Sequence, residues 1–304
     1  MRIPPIQAWL LCGLCVATTA LPAHAIDIAG KKPQHVASQF PDTPNQQAIK
    51  QAIWAPGIDE GFVPQGMTWA DGSVYISSYQ STNPKQDTGP CRLFKTNPVN
   101  GKLLGEFNLP AECGHAGGLA YIGNGIMVLS DTFKLYRIDL TKAFSPETSA
   151  NAITATATLS GQVKGSFIDF DGRSLFVGSF ERNATRSKGH FLPLSIFELP
   201  SGQSADERIA LRTIPLPERA QGAAFDASGA LWISSSSRQS GMLFKLDAST
   251  GKIVSQYESM IGIEDISFDP NGNLWSVSEA GSLRWKSWKN GRPVIFQISP
   301  NLLQ

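Results

Sequence analysis

The chain has 304 residues, 41% of them apolar, and a formal net charge of +1, so it can bury a large core and is not of disordered composition. No basic stripe stands out, which argues against nucleic acid or an anionic membrane as partner.

The first stretch, MRIPPIQAWLLCGLCVATTALPAHA, carries one arginine, an apolar run and then Ala23-His24-Ala25, the small-x-small pattern of a signal-peptidase site. Residues 1–25 therefore read as a cleaved signal peptide, with a retained anchor as the competing reading. Leucine precedes both Cys12 and Cys15, where lipidation would want a small residue, so a lipid anchor is not expected. Nothing later approaches the roughly 20 apolar residues of a spanning helix. The expected product is a soluble protein, secreted or periplasmic, with no membrane span. Loss of Arg2 leaves 25 basic against 25 acidic residues.

Residues 26–58 form a leader of the mature chain that could supply a closing strand, and 59–304 read as one domain. Within it a motif recurs: an apolar run, a tight turn, and a second run ending near serine. The copies are QGMTWADGSVYISSY from Gln65, GGLAYIGNGIMVLSD from Gly117, SFIDFDGRSLFVGSF from Ser166, QGAAFDASGALWISSS from Gln221 and EDISFDPNGNLWSVSE from Glu264. Alternating aromatic and β-branched residues around D-G, N-G or S-G turns signal hairpins. More strand-like sequence follows each, giving four strands per unit. The starts are spaced by 52, 49, 55 and 43 residues, near the spacing of four-stranded propeller blades. The expected fold is an all-β propeller of antiparallel blades. Five units are countable, and a sixth would have to be assembled from residues 36–60 and the C-terminus.

The units QGAAFDASGALWISS and EDISFDPNGNLWSVSEAG resemble blades of the bacterial propellers of the gluconolactonase and senescence-marker-protein type. The series VPQGMTW, GHAGGLAY, LFVGSFE and QGAAF resembles uncharacterised secreted propellers. The gluconolactonase-type resemblance implies a calcium or other divalent cation held in the axial pocket, with a lactonase or esterase activity. That family holds its cation with a glutamate near the first blade and with asparagine and aspartate at later strand entrances. Here Glu60 could stand for the glutamate, whereas AQG offers Gln221 and no N-D-G occurs.

Meandering blades, with strands lettered A to D outward from the axis, put the tight A-to-B turns on one face. The entrances to A and the long B-to-C loops lie on the other, the expected working face. Gln65, His115, Lys164, Gln221, Glu264 and Asp265 enter strands A; Tyr79, Asp131, Glu181, Ser236 and Glu279 leave strands B. Of these, Glu60, Asp131, Glu264 and Asp265 are the candidate metal ligands, because clustered carboxylates suit an oxygen-seeking cation. His115 and Glu279 are the candidate proton-transfer residues. Gln65, Tyr79, Lys164, Glu181, Gln221 and Ser236 are the candidate ligand contacts. The same residues could instead satisfy strand-end backbone.

Only Cys91 and Cys113 remain in the mature chain, and an even pair in an exported protein reads as a disulfide that would brace the CGHAGG turn. A zinc site would need further ligands at close spacing, and His35, His115 and His190 stand far apart. The loop 180–194 collects Arg182, Arg186, Lys188 and His190, which could receive an anion or simply be a solvated loop. No G-x-S-x-G elbow occurs. Two functions stay open: a monomeric propeller binding a small polar ligand, a glycan or an envelope partner, and a metal-dependent lactonase or esterase.

Overall fold

The computed structural model describes residues 26–304 apart from Arg238 and Lys289, so the signal-peptide reading lies outside the described residues. Two strands precede the repeats, β1 (Ile28–Ala29) and β2 (Ile49–Trp54). Blade one is β3 (Phe62–Ala70), β4 (Ser73–Gln80), β5 (Cys91–Thr96) and β6 (Leu103–Asn108). Blade two is β7 (Gly118–Gly123), β8 (Ile126–Asp131), β9 (Lys134–Asp139) and β10 (Ile153–Thr158), with one helical turn, α1 (Leu140–Ala143), in its last connection. Blade three is β11 (Phe167–Phe170), β12 (Ser174–Gly178), β13 (Lys188–Pro193) and β14 (Arg212–Pro215). Blade four is β15 (Ala220–Phe225), β16 (Leu231–Ser236), β17 (Gly241–Leu246) and β18 (Ile253–Ser259). Blade five begins with β19 (Ile263–Phe268), β20 (Leu274–Ser278) and β21 (Val294–Ile298).

Blade five takes its outer strands from the other end of the chain. Strand β2 pairs antiparallel with β21, Ile49 opposite Ile298 and Trp54 opposite Val294, and β1 adds parallel to β2. Each inner strand lies against the next, β3 on β7, β7 on β11, β11 on β15 and β15 on β19, and β19 returns to β3. The ring is closed, and it has five blades.

The packing follows from the period-2 alternation of a strand buried on both faces. Five apolar clusters fill the five blade interfaces; Tyr75 and Leu93 meet Leu119 and Leu129 between blades one and two, and Phe176 meets Ala223 and Ile233 between three and four. Trp275 and Val277 meet Met67 and Ile76 where blade five closes on blade one. The A-to-B turns behave as their sequences require. Asp71-Gly72 and Asn124-Gly125 have positive φ at both positions, the left-handed pairs of a type I′ hairpin. In FDASGALW and FDPNGNLW the aspartate accepts from turn amides and from the Trp232 or Trp275 indole, each at 3.0 Å, locking the turn to the strand that follows it.

Serines near the ends of the B strands tie blades together. Ser77 Oγ donates to the Ala116 carbonyl at 2.7 Å and Ser234 Oγ to that of Glu264 at 2.6 Å, so the SSSS run is structural where it is buried. Two of the four basic residues of 180–194 lie in a strand rather than a loop: Lys188 and His190 belong to β13, and His190 is buried with Nδ1 2.9 Å from Thr213 Oγ1.

Candidate functional site

Inner strands β3, β15 and β19 each break register close to their N-terminal ends, between Pro64 and Met67, Ala220 and Gly222, and Ile263 and Ile266. A bulge inserts an extra residue and re-aims its side chain. The residues at these three bulges are Gln65, Gln221 and the Glu264-Asp265 pair, and the first three line a cavity of about 610 Å³ at the axis. It opens on the face of the strand-A entrances and B-to-C loops. His115, Lys164 and Glu279 line it as well.

Glu264 and Glu279 form its acidic floor. Glu264 is 2% exposed, and its Oε1 accepts from Gln221 Nε2 at 3.0 Å. Glu279 is 8% exposed, and its Oε2 accepts from Trp285 Nε1 at 2.7 Å and Gln65 Nε2 at 3.1 Å. Burial disfavours the charged form. Burial pushes the Glu264 carboxyl well above the usual carboxylate range, and the nearby Glu279 and Asp265 charges push it further. Burial lifts Glu279 to about 7 against the opposing bonds from Trp285 and Gln65. Both carboxyls are thus biased toward the protonated form, Glu264 by burial and its acidic neighbours and Glu279 by burial.

Asp265 has a different task. Its carboxylate is fully buried and accepts from the backbone amides of Met67 at 3.1 Å, Leu119 at 3.0 Å, Ile266 at 3.0 Å and Ala223 at 3.4 Å. It thereby ties the inner strands of blades one, two, four and five. Burial pushes its pKa well up, partly opposed by the amides of Leu119, Met67 and Ile266. Asp169 of β11, half-buried and lifted by desolvation to about 7, accepts from the Phe225 amide at 2.9 Å.

The other residues named from sequence scatter. Asp131 caps the CGHA turn, accepting from the amides of Gly114, His115 and Ala116 at 3.0, 2.6 and 3.0 Å. Glu60 is exposed and pairs with Arg92 at 3.1 Å. The four candidate metal ligands are thus not gathered: Glu60 is held by a cation, Asp131 and Asp265 by backbone amides, and only Glu264 lines the axial cavity. Glu181 pairs with Lys164 at 3.1 Å and lines an adjoining cleft of about 360 Å³. Ser236 lines another, of about 330 Å³, beside Phe180 and Arg182.

His115 stacks on the Tyr79 ring, centroids 4.8 Å apart, and its Nδ1 lies 2.6 Å from the Asp87 carbonyl. A carbonyl only accepts, so Nδ1 carries a hydrogen and a neutral ring leaves Nε2 as acceptor. Cys91 and Cys113 are buried free thiols, and their Sγ atoms lie with an Asp131 oxygen within 4.8 Å of one another. The Cys91 thiol and burial push Cys113 upward, which makes it a poor thiolate.

Three contributors were not legible beforehand. Arg284 and Trp285 come from the B-to-C loop of blade five, where SLRW had offered an arginine beside an aromatic as its only signal. Asp169 sits inside a hairpin pattern that hides it.

No protein family's sequence profile matches the chain, and no curated protein matches it. Among solved structures, the glutaminyl cyclase of Myxococcus xanthus superposes with a TM-score of 0.56 at 13% identity, covering 83% of this chain and 94% of that one. The PQQ-bound aldose sugar dehydrogenase of Streptomyces coelicolor gives 0.47 at 13% identity over 78% and 94%. A putative glucose dehydrogenase of Thermus thermophilus gives 0.46 at 14% identity over 78% and 96%. The likeness is of fold alone. It agrees with a propeller and gives no sequence-family support to the gluconolactonase resemblance.

Proposed function

We propose that this chain is an exported propeller that binds a small polar molecule in its axial cavity, with Glu264 and Glu279 as the groups that hold and exchange a proton with it. The observation that carries the reading is the pair of buried carboxyls lining one cavity, one pushed well above the carboxylate range by burial and its acidic neighbours and the other lifted to about 7. Neighbouring acids whose pKa values are pushed apart divide into a donor and an acceptor. Protonated Glu264 can donate to a carbonyl, ether or hydroxyl oxygen of the ligand. Glu279, when ionised, can accept from a ligand hydroxyl or a water. Gln65, Gln221 and Trp285 hold the two carboxyls in place, so little reorganisation is needed on binding.

The same geometry favours a second reading, hydrolysis of a lactone or ester. Glu264 would polarise the carbonyl by hydrogen bonding and Glu279 would take a proton from an attacking water. The divalent-cation version of that chemistry does not fit the ligands named from sequence, since three of the four are committed elsewhere. A neutral-ligand and lactone panel, screened by calorimetry and turnover, tests both readings. Binding is expected to fall at least about tenfold in Glu264→Gln, which loses the acidic donor, and to survive chelation of divalent cations. Loss of binding on chelation, restored by calcium, would contradict the account.

Export rests on the leader pattern of residues 1–25. It would bring Cys91 and Cys113 into an oxidising compartment, where their proximity favours a disulfide. On the chain-entropy model, closing a loop of roughly 22 residues stabilises by about 3 kcal/mol. Protein recovered from the periplasm is expected to lack free thiols by alkylation and mass spectrometry, and to melt lower after reduction. Full alkylation without a reductant would count against the link.

A further inference from the structure

Arg284 is a buried cation without a carboxylate. It is 7% exposed, lines the axial cavity, and belongs to no ion pair among the described residues, whereas Arg92, Lys164, Arg208 and Lys245 all have acidic partners. Its guanidinium lies 4.3 Å from the Trp285 ring centroid and 5.4 Å from that of Tyr79. One Nη donates to the Tyr79 hydroxyl and the other reaches the Pro84 carbonyl at 3.4 Å, while Nε has no partner. Glu279, on the same cavity, is engaged by Trp285 and Gln65 instead.

A charge taken out of water is expensive unless it is paired, and aromatic faces offset only part of that cost. A guanidinium is the cation best suited to receive a carboxylate, through charge-assisted hydrogen bonds from a planar fork of donors. The charges around it also limit the ligand. Lys164 is paired with Glu181, and the other lysine and arginine on the lining, Lys85 and Arg182, are exposed, so Arg284 is the buried charge left for one anionic group of the ligand.

We propose that the axial ligand is a small monocarboxylate, its carboxylate received by Arg284 between Tyr79 and Trp285 and its neutral hydroxyl, carbonyl or amide end facing Glu264 and Glu279. This rests on the axial-pocket reading and adds a polarity to it. A larger cavity than a bare anion needs, about 610 Å³, agrees with a ligand carrying both groups.

The test is calorimetry and thermal shift with acetate, glycerate and N-acetylglycine, each beside its carboxamide, and with inorganic phosphate. At least one carboxylate is expected to bind and raise the melting temperature, with its carboxamide about tenfold weaker or worse. Arg284→Gln should erase that preference and Arg284→Lys retain part of it, while Glu264→Gln weakens acid and amide alike. Melting of the unliganded variants shows that each is folded. Equal binding of acids and amides, undiminished carboxylate binding by Arg284→Gln, or preference for phosphate overturns the proposal. Carboxamide binding that is lost in Glu264→Gln without any preference for the acid would keep the axial pocket and remove its anionic end. No binding by any carboxylate or carboxamide overturns both.

Discussion

Gly222→Ala is expected to destabilise the fold by roughly 3 kcal/mol or more, lowering the melting temperature by about 10 °C in calorimetry. A Cβ there would stand 2.4 Å from the Asp265 Cα and 2.7 Å from its Oδ1. The obstacle is largely backbone, so no rotamer change relieves it. Two inner strands meet at this point, and Asp265 reaches from it to the amides of Met67, Leu119 and Ala223. Displacing Asp265 therefore loosens several blades at once. Gly72→Ala lies on the opposite face with open space around the added carbon, and should cost only the strain of its positive φ. If the two variants melted alike, the close packing of the inner strands would not be what holds the ring.

The second large effect is a loss of stability with rising pH. Glu279 and Asp169 bind their protons more tightly in the folded chain than in the unfolded one, since burial lifts each to about 7. Their contribution is fully present below the unfolded carboxylate range and is lost as pH climbs from there through about 7. Each is worth on the order of 3 kcal/mol across that window. Glu264 and Asp265, also raised well above the usual range by burial, act in the same direction. Glu279→Gln is expected to match the parent near pH 4 and to exceed it in denaturant stability at pH 8. An opposite slope, with the parent gaining stability between pH 5 and 8 and the variant not, would mean that Glu279 is ionised and paired. Asp226 and Asp269, held below the usual range by their turn and indole bonds despite partial burial, act in the other direction and matter only as pH falls into the acid range.

The architecture was legible because each blade repeats its own local chemistry: a left-handed D-G or N-G turn, or an aspartate that caps the turn, between two runs that bury both faces. Five such copies were counted, and five blades are present. About a third of the pocket lining was legible for the same reason, since Gln65, His115, Lys164, Gln221 and Glu264 enter inner strands and Glu279 leaves a B strand. What could not be read was which carboxylate a backbone amide would capture. Glu264 and Asp265 are consecutive, yet a bulge turns one to the cavity and the other to the amides of neighbouring blades. Asp131 reads as a cation ligand by the same logic, yet three amides of the loop entering strand A of its blade claim it. Arg284 was missed because nothing in SLRW says that a loop of blade five folds over blade one, where Tyr79 waits.

Glu264 and Glu279 bind their protons more tightly than exposed glutamates do, and on this the donor and acceptor roles in the cavity depend. Carbon-detected NMR titration of the protein labelled at glutamate side-chain carboxyls measures it directly, with Glu264→Gln and Glu279→Gln supplying the assignments. Two carboxyl signals are expected to titrate well above the rest, that of Glu279 near 7 and that of Glu264 also raised far from the usual range. If both moved with the exposed glutamates, near about 4.3, the pair would be ionised together in the free protein, and the proton-bearing floor of the cavity would be refuted.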